Sequence, residues 1–189
     1  MKKMILFAFI VFFVCSSNIK LKKKSFYQEQ DNNILFWSSN KKLTWNDFQG
    51  DPDTINLMIK AQTFAGLKIE NGYWQEGIPK INVICYFSKS KSWVKVKSDS
   101  NLAHEQLHFD IWELYARKIR KSFDSLNEKK IKDIKVYYSV FESYGEKCNK
   151  YNDFYDSKVY FNDERQQQWI ENIAIELNQL KRYEYILEE

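Results

Sequence analysis

Apolar residues alternate with polar ones in the first half of the chain and recur at helical spacing in the second half. Every second position is apolar in one stretch of the first half: Ile81, Val83, Cys85 and Phe87. Three further stretches have a strand-like composition: residues 34–37, 58–70 and 93–96. Asn71-Gly72 is typical of a hairpin turn. The first half therefore predicts three or four short strands in a mixed or antiparallel sheet.

The second half predicts three helices. Ser98-Asp99-Ser100 supplies an N-cap, and apolar residues then keep helical spacing to Phe123. Four basic residues late in this helix suit the negative end of the helix dipole: Arg117, Lys118, Arg120 and Lys121. A second helix is predicted from about Tyr138 to Phe154 and a third from about Glu164 to Ile186. An apolar stripe runs along the third helix: Trp169, Ile173, Leu177 and Leu180. Together these patterns predict a single α+β domain over residues 34–189.

The N-terminus has the pattern of an export signal. Two lysines precede an unbroken apolar run from Met4 to Val14, which as a helix spans only about 16 Å of a bilayer core of about 30 Å. Residues 1–17 are therefore predicted to be a signal peptide and residues 18–33 a flexible basic tail. The mature chain is expected to carry no transmembrane segment and to be periplasmic or secreted, with lipoprotein processing at Cys15 as the alternative.

Charge and cysteine content narrow the class of protein further. The formal net charge is +4, and Lys2 and Lys3 contribute two of those charges within the predicted signal. The remainder gives no argument for nucleic-acid binding. After processing, Cys85 and Cys148 remain. In an oxidising compartment we expect them to form a disulfide, with two buried free thiols as the alternative.

The only two histidines of the chain lie in the string His104-Glu105-Gln106-Leu107-His108. This is the H-E-x-x-H motif of zinc peptidases. On a helix, residues four apart project from one face, so both imidazoles can share a metal ion. Glu105 lies where a carboxylate can act as general base on a water molecule. The motif predicts a Zn²⁺ site with His104 and His108 as ligands and Glu105 as the catalytic residue.

A third protein ligand is not identified by the motif, because the chain has no third histidine. Asp110 and Glu113 lie roughly 160° and 140° around the helix from His108 and are expected to face away from the metal. The remaining candidates are carboxylates of the C-terminal half: Glu142, Glu146, Asp153, Asp156, Asp163 and Glu164.

The string from Ala103 to Arg120 closely resembles the bacterial family catalogued as domain of unknown function 922, whose members are described as secreted zinc-dependent proteases. Three further stretches are similar to that family: Leu43-Thr44-Trp45 with Asp47-Phe48 and Gly50, Ser92-Trp93-Val94, and Tyr155-Asp156 followed by Gln166 and Trp169. The resemblance spans about residues 34–180. It implies a zincin-like fold, in which a small sheet packs on the H-E-x-x-H helix and further helices follow.

The resemblance also bears on the third ligand. Family members often have a histidine shortly after the Tyr-Asp pair, where this chain has Val159-Tyr160-Phe161-Asn162. If that histidine is a ligand elsewhere, Asp163 or Glu164 could replace it, and we take Asp163 first.

Two functions follow as expectations. The first is an exported zinc-dependent hydrolase, a peptidase acting on a peptide or protein substrate. The second is a non-catalytic envelope or secreted binding protein on a degenerate zincin-like scaffold. A metal held by two histidines alone would favour the second function.

Overall fold

The computed structural model describes residues 32–159 and 162–186. Within these ranges the protein is a mixed α/β structure with antiparallel sheets and three helices. The predicted signal peptide and nearly all of the predicted basic tail lie outside the described residues. No helix in the described ranges combines the length and the apolar character needed to cross a membrane.

Five strands form two antiparallel sheets: β1 (Ile34–Phe36), β2 (Ala61–Gln62), β3 (Ala65–Gln75), β4 (Ile78–Ser88) and β5 (Trp93–Val94). The larger sheet has the order β1-β4-β3, and β2 pairs with β5. On β4 three of the four residues predicted to share a buried face belong to the core cluster, Val83, Cys85 and Phe87, and Ile81 is half-buried against it. Ile84, on the opposite face, is also buried.

The hairpin between β3 and β4 turns at Glu76-Gly77, so the prediction of a turn at Asn71-Gly72 is wrong. Glu76 and Gly77 have φ of 53° and 75°, and two successive positive φ values are what a type I′ hairpin turn requires. Asn71-Gly72 lies instead where the β3–β4 register shifts. A Cβ on Gly72 would meet the carbonyl oxygen of Lys80 at 2.7 Å, so the close approach of the strands explains this glycine.

Three helices follow the strands: α1 (Asp99–Glu128), α2 (Ile134–Val159) and α3 (Asp163–Gln179). The predicted cap of α1 is confirmed, since the Ser98 hydroxyl accepts a hydrogen bond from the backbone N–H of Asn101. Helix α1 continues past the predicted end at Phe123. Helix α3 ends before the predicted Ile186 and is followed by a 3₁₀ turn, Lys181–Tyr183.

Helix α1 lies at the centre of the fold. It packs against β3 and β4 with one face and against α2 and α3 with others. Four of its apolar side chains have no solvent exposure: Ile111, Leu114, Ala116 and Ile119. The orientation of α1 therefore determines where every polar residue of the H-E-x-x-H motif points.

A buried ion cluster fixes that orientation. Glu113 is 1 % exposed and binds the guanidinium groups of Arg117 at 2.9 Å and Arg120 at 2.9 Å. Nη2 of Arg117 lies 3.0 Å from an oxygen of Glu184, close enough for an ion pair but without hydrogen-bond alignment. The charges in this cluster balance. The expectation that Arg117 and Arg120 serve the helix dipole is wrong, because both are buried and the helix continues beyond them to Glu128.

The two guanidinium groups also connect α1 to other elements. Nη1 of Arg117 donates to the backbone carbonyl of Leu177 on α3, and Arg120 donates to the carbonyls of Val83 on β4 and Tyr183 in the 3₁₀ turn, at 2.7–2.8 Å. One cluster therefore ties the central helix to the sheet, to the last helix and to the C-terminal turn.

The predicted disulfide does not form. Cys85 and Cys148 are both buried free thiols. Cys85 belongs to β4, and its Sγ lies 3.8 Å from the carbonyl oxygen of Phe109 on α1. Cys148 belongs to α2, which contacts α1 on the face that carries His108.

Replacement of Glu113 by Gln should lower the free energy of unfolding by about 3–5 kcal/mol, because it removes the negative partner of two buried guanidinium groups. Urea-induced unfolding followed by circular dichroism measures this change. The matched control is Glu142→Gln at an exposed position on α2, expected to change stability by less than about 0.5 kcal/mol. Equal effects of the two variants would contradict the structural role of the cluster.

Both described thiols should be inert in the native protein. Burial raises the pKa of Cys85 and of Cys148, which disfavours the reactive thiolate. Alkylation with iodoacetamide at neutral pH, followed by peptide mapping without reductant, should label neither residue until denaturant is added. Recovery of a peptide pair linked through Cys85 and Cys148 would instead support the predicted disulfide.

Candidate metal centre

Helix α1 presents both imidazoles on one face, as the motif predicts. Nε2 of His104 lies 3.2 Å from Nε2 of His108, and the ring centroids are 4.8 Å apart. The four-residue spacing on one helix produces this geometry.

The carboxylate that meets the imidazoles is Asp156, on the neighbouring helix α2. Its Oδ1 lies 3.2 Å from Nε2 of His104 and 2.9 Å from Nε2 of His108. Asp156 is one of the six candidates for the third ligand. Asp163, the first choice, lies at the start of α3, where its carboxylate accepts a hydrogen bond from the hydroxyl of Ser100 at 2.8 Å. In the described part of the chain, the residues grouped closely enough to share a metal ion are His104, His108 and Asp156.

The outer nitrogen of each imidazole also has a partner on α2. Nδ1 of His108 lies 2.7 Å from Oδ1 of Asn152, and Nδ1 of His104 lies 3.0 Å from the hydroxyl of Tyr155. The Tyr155 ring also stacks on His104, with centroids 4.9 Å apart and an interplanar angle of 25°. Such outer contacts orient the imidazoles of metal sites.

Burial and neighbouring groups shift the pKa values of three residues in this site. Burial opposes a charge on His108, but the hydrogen bond and charge of Asp156, together with Glu105 and Asn152, raise the pKa of the imidazole above 6.5. Burial likewise opposes the charge of Asp156, yet hydrogen bonds from both histidines hold its pKa well below the usual range. Burial, with Asp156 and Glu105 nearby, raises the pKa of Tyr155, so that its hydroxyl keeps its proton.

The three converging atoms fit a small divalent cation. Zinc binds imidazole nitrogen and carboxylate oxygen at about 2.0–2.2 Å. Since Nε2 of His104, Nε2 of His108 and Oδ1 of Asp156 are only 2.9–3.2 Å apart, a point just off their plane lies about 2 Å from all three. With neutral imidazoles presenting their lone pairs, these three acceptors would repel one another, so the arrangement requires a cation between them. A metal ion or a bound proton can supply it.

Glu105 lies beside this group without belonging to it. Its side chain is 4 % exposed, and Oε2 has no hydrogen-bond partner. A buried carboxylate oxygen without a donor is unfavourable, so a hydrogen-bonding molecule that enters the site would be stabilised there. The position of Glu105 next to both imidazoles is the one that the motif predicts for a general base.

The two carboxylates expected to face away do so. Asp110 accepts hydrogen bonds from the indole of Trp37 at 2.6 Å and from Lys42 at 3.3 Å. Glu113 belongs to the buried ion cluster of α1. Both carboxylates therefore have structural partners away from the imidazoles.

Two residues of the site were not identified from the sequence, Asn152 and the hydroxyl of Tyr155. Asn152 precedes Asp156 by four residues, so helical spacing alone predicts both side chains on one face of α2. The sequence does not indicate that this face meets α1.

Comparisons with protein-family models, with curated proteins and with solved structures found no match to this chain. The resemblance to the domain 922 family therefore depends on the motif strings alone.

In the metal-free protein, Asp156→Asn should lower the pKa of His108, because it removes the charge that offsets burial of the imidazolium. The control variant, Asp163→Asn, should leave this pKa unchanged. With only two histidines in the chain, an NMR pH titration resolves both imidazoles.

The same shift predicts a pH dependence of stability. Because the pKa of folded His108 lies above 6.5, its pairing with ionised Asp156 stabilises the metal-free protein fully below pH 6.5. That contribution is lost as the pH rises through the raised pKa. An identical His108 titration in wild type and Asp156→Asn would show that the carboxylate does not pair with the imidazole.

Proposed function

We propose that this protein is an exported zinc-dependent hydrolase, most simply a peptidase. The observation that carries the proposal is the convergence of His104, His108 and Asp156 from two helices beside the buried carboxylate of Glu105. Two imidazoles and one carboxylate form a ligand set of catalytic zinc sites, which keep a further position open for water or substrate.

The surrounding architecture supports a zincin-like arrangement. The helix that carries H-E-x-x-H packs against an antiparallel sheet, and a later helix supplies the third candidate ligand. The resemblance to the domain 922 family implies the same arrangement, and its description as a family of secreted proteases agrees with the signal-like N-terminus.

The chain's own residues then divide the chemistry between them. His104, His108 and Asp156 would hold Zn²⁺, which when bound acts as a Lewis acid and lowers the pKa of water. Glu105 would accept a proton from the attacking water at its carboxylate and pass it to the leaving amine. Its buried position beside the imidazoles leaves Oε2 available for that proton.

An exposed apolar loop supports a peptide or protein substrate. Four large apolar side chains occur within residues 55–59 and are 37–90 % exposed: Ile55, Leu57, Met58 and Ile59. This loop leads to Thr63, whose hydroxyl donates to the backbone carbonyl of Glu105 at 3.1 Å. Exposed apolar clusters of this kind favour contact with apolar groups of another molecule.

The alternative function, a binding protein on a degenerate scaffold, would be favoured by an aromatic ring in place of the third ligand. Tyr155 instead stacks beside His104, and Asp156 takes the position between the imidazoles. The site therefore supports the hydrolase over the scaffold.

The test is the zinc content of the mature protein, purified without chelator and measured by mass spectrometry. Wild type should retain about one zinc per chain, and His104→Ala and Asp156→Ala should lose it. Asp163→Ala is the matched control and should keep the metal, because Asp163 pairs with Ser100 rather than with the imidazoles. Absence of zinc from wild type would contradict the proposal.

Glu105→Gln separates metal binding from catalysis. This variant should retain zinc, since Glu105 is not a ligand, but lose cleavage of unfolded casein by at least about 100-fold. Zinc binding without any hydrolysis by wild type, across a panel of unfolded proteins, would support the binding-protein alternative.

A further inference from the structure

Asn152 lies beside the candidate metal centre, in contact with one of its two imidazoles. It lies on α2 one turn before Asp156, and its Oδ1 is 2.7 Å from Nδ1 of His108. The opposite nitrogen of the same ring, Nε2, lies 2.9 Å from Asp156. One face of α2 therefore contacts both nitrogens of His108.

The orientation of the Asn152 amide is determined by a second contact. Its Nδ2 donates to the backbone carbonyl of Cys148 at 3.0 Å. The reversed amide would bring two carbonyl oxygens together at Cys148, which is repulsive. Oδ1 must therefore be the atom that faces His108.

This orientation requires a proton on Nδ1 of His108, because an amide oxygen can only accept a hydrogen bond. Without a metal ion, the carboxylate of Asp156 also accepts from Nε2, which lies 2.9 Å from its Oδ1. If Asp156 ligates a metal ion instead, the single ring proton stays on Nδ1 and Nε2 is left as a ligand. His104 lacks an equivalent constraint, because the Tyr155 hydroxyl can either donate to its Nδ1 or accept from it.

We propose that Asn152 is a positioning residue that holds His108 in the Nδ1–H tautomer and so makes Nε2 available to a metal ion. The inference rests on the proposed metal site, since in the metal-free protein Asp156 and Asn152 compete for the single proton of neutral His108. Cys148 contributes through its backbone carbonyl, which anchors the amide.

The first measurement is the tautomer of His108 in metal-free Asp156→Ala, which has no carboxylate at Nε2, from long-range ¹H–¹⁵N NMR correlations at roughly pH 9, where imidazoles are neutral. The chain has only two histidines, so an untagged protein gives two resolvable patterns. In this background His108 should be protonated at Nδ1, and adding Asn152→Ala should shift it toward the Nε2–H form.

The second measurement is zinc affinity, by competition with a chromophoric chelator. Asn152→Ala should bind zinc about 10- to 100-fold more weakly than wild type. Asn149→Ala, at an exposed position one turn before Asp153 on the same helix, is the matched control and should change neither the tautomer nor the affinity.

The outcomes separate this inference from the proposed function. An Asp156→Ala protein with His108 protonated at Nε2, or an Asn152→Ala substitution that changes neither tautomer nor zinc affinity, would overturn the role of Asn152. Failure of wild type to bind zinc would contradict the proposed function, while the His108 tautomer in Asp156→Ala would still decide whether Asn152 directs the ring proton. That spectrum decides this even if the Asn152→Ala variants do not fold.

Discussion

The fold depends most on the buried ion cluster of α1. Glu113, Arg117 and Arg120 would each be strongly unfavourable if left unpaired in the interior, so they must meet one another and the carbonyls of the sheet, α3 and the C-terminal turn. These requirements hold only for one rotation of α1 about its axis. His108 lies five residues before Glu113, roughly 140° around the helix, and so the cluster that anchors one face to the interior directs the histidines toward α2.

The second constraint is the packing of α2 on that face. Aromatic contacts set the register of the two helices along their length, with Tyr115 against Tyr144 and Tyr151, and Phe123 against Tyr137. Three polar contacts then form together at one end of the interface, from Asn152, Tyr155 and Asp156. A shift of α2 by a single residue would rotate its side chains by about 100° and remove all three contacts. The site is thus a consequence of how two helices pack, and neither helix contains it alone.

This division explains what could be predicted from the sequence. The Ser98 cap, the buried face of β4 and the common face of the two histidines each follow from spacing within one element, and the structure has all three.

The contact between Asp156 and the imidazoles joins residues that are at least 48 positions apart in the sequence. In the sequence Asp156 resembles any exposed helix carboxylate, and so do Asp153 and Asp163. The buried roles of Arg117 and Arg120 were missed for the same reason, since their partners lie on other elements. The hairpin was misplaced because Asn71-Gly72 is a favourable turn sequence, whereas pairing of the long strands β3 and β4 favours the turn at Glu76-Gly77.

Glu105 gives the strongest physical reason to regard this packing as functional. Nearly every other buried polar side chain in the described ranges has hydrogen-bond partners, and the unsatisfied Nη2 of Arg117 still lies within ion-pair distance of Glu184. Oε2 of Glu105 has no such compensation. Replacing Glu105 with a glutamine or an apolar residue would remove the buried charge. Buried polar groups without hydrogen-bond partners tend to occur at functional sites. The uncompensated oxygen lies next to three acceptor atoms that themselves need a cation. A cation bound by those acceptors would remove their mutual repulsion, and a polar molecule hydrogen-bonded to Glu105 would satisfy Oε2. A zinc-dependent hydrolase requires this combination.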